Sequence, residues 1–202
     1  MRIYTDEELV LRNKGLQEIK GIFAIIKLPF FLVDGVLLGA VREKNFIKWD
    51  WDVELVVFSE IAIDYIDDFL TYSKASGFKA TLVDASMKNF KINLHKYDTK
   101  YSIVGLYKKR KYRLRNAFKY PAKFFDKPIS IKFLGEDYFA PNPIDEFLVF
   151  LYGANWRTPK MSSIKKEYLS RDVFNNNRFN IIERMLKKIS SLINNLYYWN
   201  RN

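Results

Sequence analysis

The chain has 202 residues, 49% hydrophobic and 17% aromatic, which is ample apolar mass for a sizeable core and too much for a disordered chain. It has no cysteine, which excludes a disulfide framework, a thiolate metal site and a cysteine nucleophile; its single histidine, His95, excludes a His-rich zinc site. A formal charge of +11 favours polyanionic partners (nucleic acid, anionic lipid or phosphate-bearing substrates) without choosing among them.

Thr5 followed by Glu8 is a capping-box pattern that opens a helix from about Asp6 to Ile26, with Leu9, Leu11, Leu16, Ile19, Ile22 and Phe23 on its core face. The start, Met1 to Glu8, with acids at Asp6, Glu7 and Glu8, does not fit a signal peptide. Phe30 to Val33 reads as a short buried strand, Asp34-Gly35 as a turn and Val36 to Arg42 as a short helix. The most apolar window, Ile22 to Val41, holds Lys27, Pro29 and Asp34. A central Lys or Asp costs about 2.5–3.5 kcal/mol in a bilayer, so a transmembrane helix is rejected.

Lys48 to Phe58 reads as a strand, and side chains of a strand alternate between its faces. Trp49, Trp51, Val53, Leu55 and Val57 then form an apolar face, while Asp50, Asp52 and Glu54 stand in a row on the other. Like charges that close repel. A divalent cation converts the repulsion into coordination, and Mg²⁺ favours one or two carboxylates plus substrate phosphates. The alternative is a solvated edge-strand face whose charges deter aggregation.

Ile63 to Ser76 reads as a helix closed by Gly77, and Phe78 to Val83, Phe90 to His95 and Tyr101 to Tyr107 read as strands. Lys108 to Arg115 carries six positive charges in eight residues, as a solvated hairpin edge, a phosphate clamp or a membrane-surface patch. Asn142 caps a helix with Pro143 at its first position, and Gly153 ends it. From Asn177 a helical tail shows Phe179, Ile182, Leu186, Ile189, Ile193 and Leu196 at alternating spacings of three and four. Packing on the chain's own body, a helix–helix dimer and a membrane-surface helix are all compatible with that stripe. The layout is α+β, a mixed sheet packed against helices. His95 reads as a surface or structural histidine, with catalytic base as the alternative. Trp49, Trp51, Tyr152 and Trp156 read as packing residues.

Two blocks carry a resemblance. Phe31 to Arg42 (FLVDGVLLGAVR) and Phe46 to Glu54 (FIKWDWDVE) resemble the "GTLLGxxR…IPWDxDxD" signature of the LicD/fukutin-related family. Phe133 to Gly135, Ala140 to Pro143 and Leu151 to Trp156 with Pro159 resemble its second block. The resemblance implies a nucleotidyltransferase-like fold, expected over residues 1–165; the apolar stripe of the tail adds the expectation of a helical extension, 166–202, packed on the same domain. It implies metal-dependent transfer of a phospho-alcohol, such as phosphocholine or ribitol phosphate, from a CDP-linked donor to a sugar of a cell-surface glycan. Carried over position by position, Asp50, Asp52 and Glu54 become the catalytic carboxylates and ligands of Mg²⁺ or Mn²⁺. Gly35 and Arg42 are placed to meet the donor phosphates, with Lys108 and Arg110 of the basic run attracting phosphate beside them. The implied location is cytoplasmic, with peripheral contact at the inner face of the membrane, and no nucleic acid is expected.

The chain departs from the pattern in several places. Val36 stands where members often have Thr or Ser, Glu54 replaces a third Asp, Lys48 replaces a Pro and Asn155 an Asp. Ser102 falls where members tend to carry another acid, with Asp84 and Asp98 as candidate substitutes. These departures leave two alternatives: a degenerate member that binds a nucleotide or partner without turnover, and, further off, a basic nucleic-acid-binding protein, for which no base-reading motif is found.

Overall fold

Thr5 starts the first helix as its composition demands: its hydroxyl accepts from the Glu8 amide, and the Glu8 carboxylate accepts from the Thr5 amide at 2.7 Å. The computed structural model describes residues 2–162 and 164–174. Its helices are α1 (Asp6–Ile25), α2 (Asp34–Arg42), α3 (Ser59–Ala62), α4 (Ile66–Ala75), α5 (Lys123–Asp126), α6 (Ile144–Tyr152) and α7 (Lys165–Tyr168). Its strands are β1 (Phe31–Leu32), β2 (Asp52–Phe58), β3 (Lys79–Asp84), β4 (Lys91–Lys96), β5 (Thr99–Lys109), β6 (Tyr112–Arg115), β7 (Phe118–Pro121), β8 (Ile129–Phe133) and β9 (Glu136–Ala140).

The strands form one mixed sheet ordered β3-β4-β5-β2-β1-β9-β8, with the β6–β7 ribbon branching from β5. β2 runs parallel to β5 and β1 parallel to β9; the other pairs are antiparallel. On one face Val53, Leu55, Val57, Tyr101, Ile103, Ile92 and Leu94 are buried. α1 covers that face: the Tyr101 hydroxyl donates to the Arg12 carbonyl at 2.9 Å, and Gly15 leaves room for the phenol. The architecture is thus α+β, a mixed sheet packed against helices. Among the described residues no helix is long and apolar enough to cross a membrane.

Several expectations change. β2 begins at Asp52, so Trp49, Asp50 and Trp51 lie in the turn before it rather than in the strand. The Asp50 amide donates to the Ile47 carbonyl at 3.0 Å, which closes that turn and takes Asp50 off the β2 ladder. In α1 the core stripe runs Leu9, Arg12, Leu16, Ile19 and Phe23, at helical spacing, so Arg12 is buried and Leu11 is exposed. Pro143 is the N-cap of α6, one residue later than expected, and is preceded by a cis peptide bond. The hairpin β8–β9 and the ribbon β6–β7 had no expected counterpart, because their strands are only four or five residues long. α7 straddles the boundary expected at residue 165, and the chain stays on the body up to Phe174, which bridges to Phe118. The apolar stripe from Phe179 to Leu196 lies outside the described residues.

Candidate active site

α2 and β2 bring four carboxylates to one place. Asp52 and Glu54, two residues apart, point to the same face of β2, opposite the buried Val53 and Leu55. Asp50 approaches from the preceding turn. Asp34 heads α2 with φ at +48°, a left-handed conformation that a non-glycine residue seldom adopts and that tends to mark functional positions. All four line a cavity of about 630 Å³, with Gly35, Leu38, Arg42, Trp49, Trp51, Lys91, Arg115, Tyr120, Tyr152 and Lys165 among its other walls.

Gly35 is required by close approach: a Cβ there would overlap the Asp50 carboxylate. Arg42 reaches the cavity, with Nε 2.7 Å from Glu43 Oε1 and Nη1 donating to the Trp156 carbonyl at 3.2 Å. Behind the Asp50 turn lies Arg12, fully buried, its Nη1 donating to the Asp50 carbonyl at 2.9 Å and its guanidinium 4.1 Å from the Tyr4 ring centre. Its Nε and Nη2 have no hydrogen-bond partner among the described residues.

Burial and crowding shift these acids apart. Burial, then repulsion from Glu54, pushes Asp34 up to about 8 against the pull of Arg115. Burial and the neighbouring Asp52 push Asp50 up to about 7, opposed by Arg12. Asp52 is raised by burial and by Glu54, opposed by the Ser102 hydroxyl and Lys100. Glu54 goes the other way: burial raises it, but Arg115, the Asp34 hydrogen bond and Lys165 together outweigh that and hold it well below the usual carboxylate range. The Arg115 nitrogens stand 2.9 and 3.3 Å from the two Glu54 oxygens. In the hydrogen-bonded Asp34–Glu54 pair the proton therefore sits on Asp34.

Among the described residues no group of three or more His, Cys, Asp and Glu side chains forms a ready metal cage. The donor chemistry nevertheless suits a hard cation. Asp50 and Asp52 are half-buried and crowded by like charge, neither is in an ion pair among the described residues, and Mg²⁺ needs only one or two carboxylates when phosphate oxygens and water complete its shell. Glu54 differs from the expectation for it, since its charge is already met by Arg115.

Of the other expected residues, Gly35 and Arg42 line the cavity, but Lys108 and Arg110 do not. Lys108 lies six residues along β5 from Ser102, the partner of Glu54, or about 20 Å at 3.3 Å per residue. Both basic residues instead border a shallow concavity with Lys111, Tyr112 and Lys123. His95 is exposed and outside the cavity, which removes it as a base there. Trp51 is 61% exposed at the cavity rim and is not a packing residue. Ser102 does occupy the site: buried beside Glu54, it donates to Asp52 Oδ2 at 3.1 Å. Neither expected substitute for its missing acid lines the cavity: Asp98 pairs with Arg2, and Asp84 accepts from the Ser86 amide. The fourth carboxylate is Asp34, which the Asp34-Gly35 turn signal concealed. Arg12, Arg115 and Lys165 were likewise missed as site residues, because only the tertiary fold carries them there.

A family model described as LicD/FKTN/FKRP, nucleotidyltransferase domain, matches residues 27–143, more than half of the chain. No curated protein gives a significant match. Among solved structures, the solution structure of the antibiotic-resistance factor ANT(2'')-Ia aligns at 10% identity with a TM-score of 0.47, covering 66% of this chain and 66% of that one, just under two thirds. The crystal structure of ANT(2'')-Ia in complex with adenylyl-2''-tobramycin aligns at 10% identity with a TM-score of 0.43, covering 64% and 68%.

Proposed function

The chain belongs to the LicD/FKTN/FKRP nucleotidyltransferase-domain family, and from that premise we propose that it is a metal-dependent phosphotransferase moving a phospho-alcohol from a CDP-linked donor to a sugar hydroxyl of a cell-surface glycan. The observation that supports this reading most is the meeting of Asp34, Asp50, Asp52 and Glu54 with Arg42 and Arg115 in one cavity. In the reaction, the acceptor oxygen forms a bond to the donor phosphorus that carries the alcohol, the P–O–P linkage breaks and CMP leaves. The hydroxyl proton passes to a carboxylate of the cluster.

Asp50 and Asp52 would hold Mg²⁺ or Mn²⁺. With such an ion bound, the site would carry the positive charge that offsets the donor's pyrophosphate. Arg42 and Lys165 face the same space and would add positive charge to the phosphates, while Arg115 holds Glu54 in place. Gly35 lets the Asp50 carboxylate lie against α2. The Tyr120 and Tyr152 phenols, raised well above their ordinary value by burial, stay protonated and line the wall as hydrogen-bond donors.

The basic ribbon is proposed to meet an anionic membrane surface. Lys108, Lys109, Arg110 and Lys111 are all exposed, and each such residue is worth about 1 kcal/mol near anionic lipid.

The experiment is thermal stabilisation by CDP, CDP-choline, CDP-ribitol, CDP-ethanolamine and CDP-glycerol, each with and without Mg²⁺ or Mn²⁺. A metal-dependent shift with one donor, lost in Asp52→Ala, is expected. A shift that survives Asp52→Ala would overturn the assignment. A second reading, binding without turnover, is favoured by the Glu54–Arg115 pair and by Ser102 in an acid's place. Donor binding with no transfer to any glycan in a broad panel would select it.

A further inference from the structure

The face of the sheet opposite α1 does not end at the carboxylates. Register places Asp52 beside Lys100, Lys100 beside His95 and His95 beside Lys79. A second row runs Glu54, Ser102, Asn93, Thr81. Directly opposed residues share a face, so both rows lie on one side, and every member of each is polar. On the other side of the same strands, Tyr101, Ile103, Ile92 and Leu94 are buried core. Two rows without one apolar member are not a packing surface; the next row on this side, Val56 and Val104, is buried, so the polar strip ends there. Lys79, Thr81 and His95 are exposed, and Asn93 and Lys100 are half-buried. The rows cross three strand spacings, about 14 Å at 4.8 Å each, the span of an oligosaccharide rather than of one ring.

Two further features stand at the inner end of these rows. Trp51, 61% exposed, borders the cavity, and the Lys100 ammonium lies 4.5 Å from its ring centre. Lys91 lines the cavity from the same side. Among the described residues, none of Lys79, Lys91 and Lys100 lies within 4 Å of a carboxylate. A flat aromatic left in water suits the C–H face of a pyranose. The hydroxyl, amide and imidazole groups suit sugar hydroxyls, and three ammonium groups without carboxylate partners suit an anion.

We propose that this face is the acceptor surface and that it takes an anionic saccharide, stacked on Trp51 and lying outward across Lys100, His95 and Lys79. The inference rests on the transferase reading, since it is the nearness of Asp52 that makes a saccharide here an acceptor. Single-stranded nucleic acid suits the face less well, because stacking successive bases needs a series of aromatics and Trp51 stands alone in these rows.

The test is titration of the full chain with tetragalacturonate, a phosphorylated maltotetraose, neutral maltotetraose and an oligothymidylate of matched length. Both anionic saccharides should bind, with the neutral one about tenfold weaker. Trp51→Ala should weaken tetragalacturonate about tenfold and Trp51→Phe should recover most of the loss; Lys79→Glu, at an exposed site that leaves folding intact, should weaken it about fivefold. No saccharide binding, equal affinity for neutral and anionic saccharides, tighter binding of the oligothymidylate, or wild-type affinity in Trp51→Ala and Lys79→Glu would each overturn the proposal. The stabilisation of the same unmodified protein by CDP ligands with Mg²⁺ is read separately. Saccharide failure with CDP stabilisation intact sinks this inference alone, whereas saccharide binding without any CDP stabilisation sinks the transferase reading alone.

Discussion

Arg115 and Asp34 show how single residues set the electrostatics of this site. Arg115 is the cation that keeps Glu54 charged in a buried position. Arg115→Met should destabilise the protein by about 3–5 kcal/mol, since it leaves a buried carboxylate unpaired, and Glu54→Leu in the same chain should restore most of that. Urea unfolding measures both, and equal stability of Arg115→Met and the parent would contradict the pairing. The raised acids make a second prediction. Asp34 and Asp50 rise from an ordinary 3.8 to about 8 and about 7, so between about pH 4 and 8 the folded, metal-free protein binds more protons than the unfolded chain. Their contribution to stability is complete below pH 4 and is lost as pH rises through 7 to 8. Glu54 acts in the opposite sense, but only in more acid solution. Metal-free protein should therefore unfold at lower urea concentration at pH 8 than at pH 5.5. Asp34→Asn with Asp50→Asn should flatten that slope; a slope unchanged by the double substitution would show that other groups titrate.

At the scale of elements, the site depends on how α2 meets the turn before β2. Gly35 belongs to the first turn of α2, where replacing glycine by alanine ordinarily stabilises a helix by about 0.5–1 kcal/mol. Here the added carbon would displace the Asp50 carboxylate. Gly35→Ala should keep its helical circular dichroism and lose about a hundredfold in metal-dependent CDP affinity, as a displacement of about 1 Å in a positioned group can do. CDP affinity within twofold of the parent would mean that Asp50 is not a ligand. The same packing explains Arg12, which α1 buries behind the Asp50 turn although residues 1–26 lie outside the family match. The helix supplies not only core but a cation fixed beneath the carboxylates.

At the scale of the molecule, two groups of basic residues stand apart among the described residues. The cavity and adjoining sheet face carry Arg42, Lys91, Lys100 and Lys165 near the carboxylates, while the β5–β6 turn carries Lys108 to Lys111 about 20 Å away. The basic residues of that turn are therefore not part of the cavity, and the two groups of cations are separate surfaces. If the distal one meets membrane, changing Lys109, Arg110 and Lys111 to Gln should reduce flotation with anionic liposomes by about 1 kcal/mol per charge removed and leave CDP stabilisation unaltered. Equal flotation of the two proteins would remove the ribbon as a membrane contact.

Family, fold class and the acidic segment were legible in the residue order, because they rest on short-range signals: a capping box, a glycine-rich turn into a helix, and carboxylates spaced two apart. Asp52, Glu54, Gly35 and Arg42 stand in the cavity for that reason. The partners of those residues were not legible. Arg115 comes from a strand sixty residues later, Arg12 from a helix before the motif, and Asp34 from a left-handed backbone that its neighbours do not announce. The basic run looked continuous, yet its ends part, since an extended strand carries Lys108 away while the returning strand brings Arg115 back. Residue order alone specified the family, the acidic pair Asp52 and Glu54, and the Gly35 and Arg42 that share their cavity. Strand register and burial decided which carboxylates share a cavity, which of them keeps its charge, and which strip of the sheet stays polar and open, because those follow from long-range pairing and desolvation that no local pattern encodes.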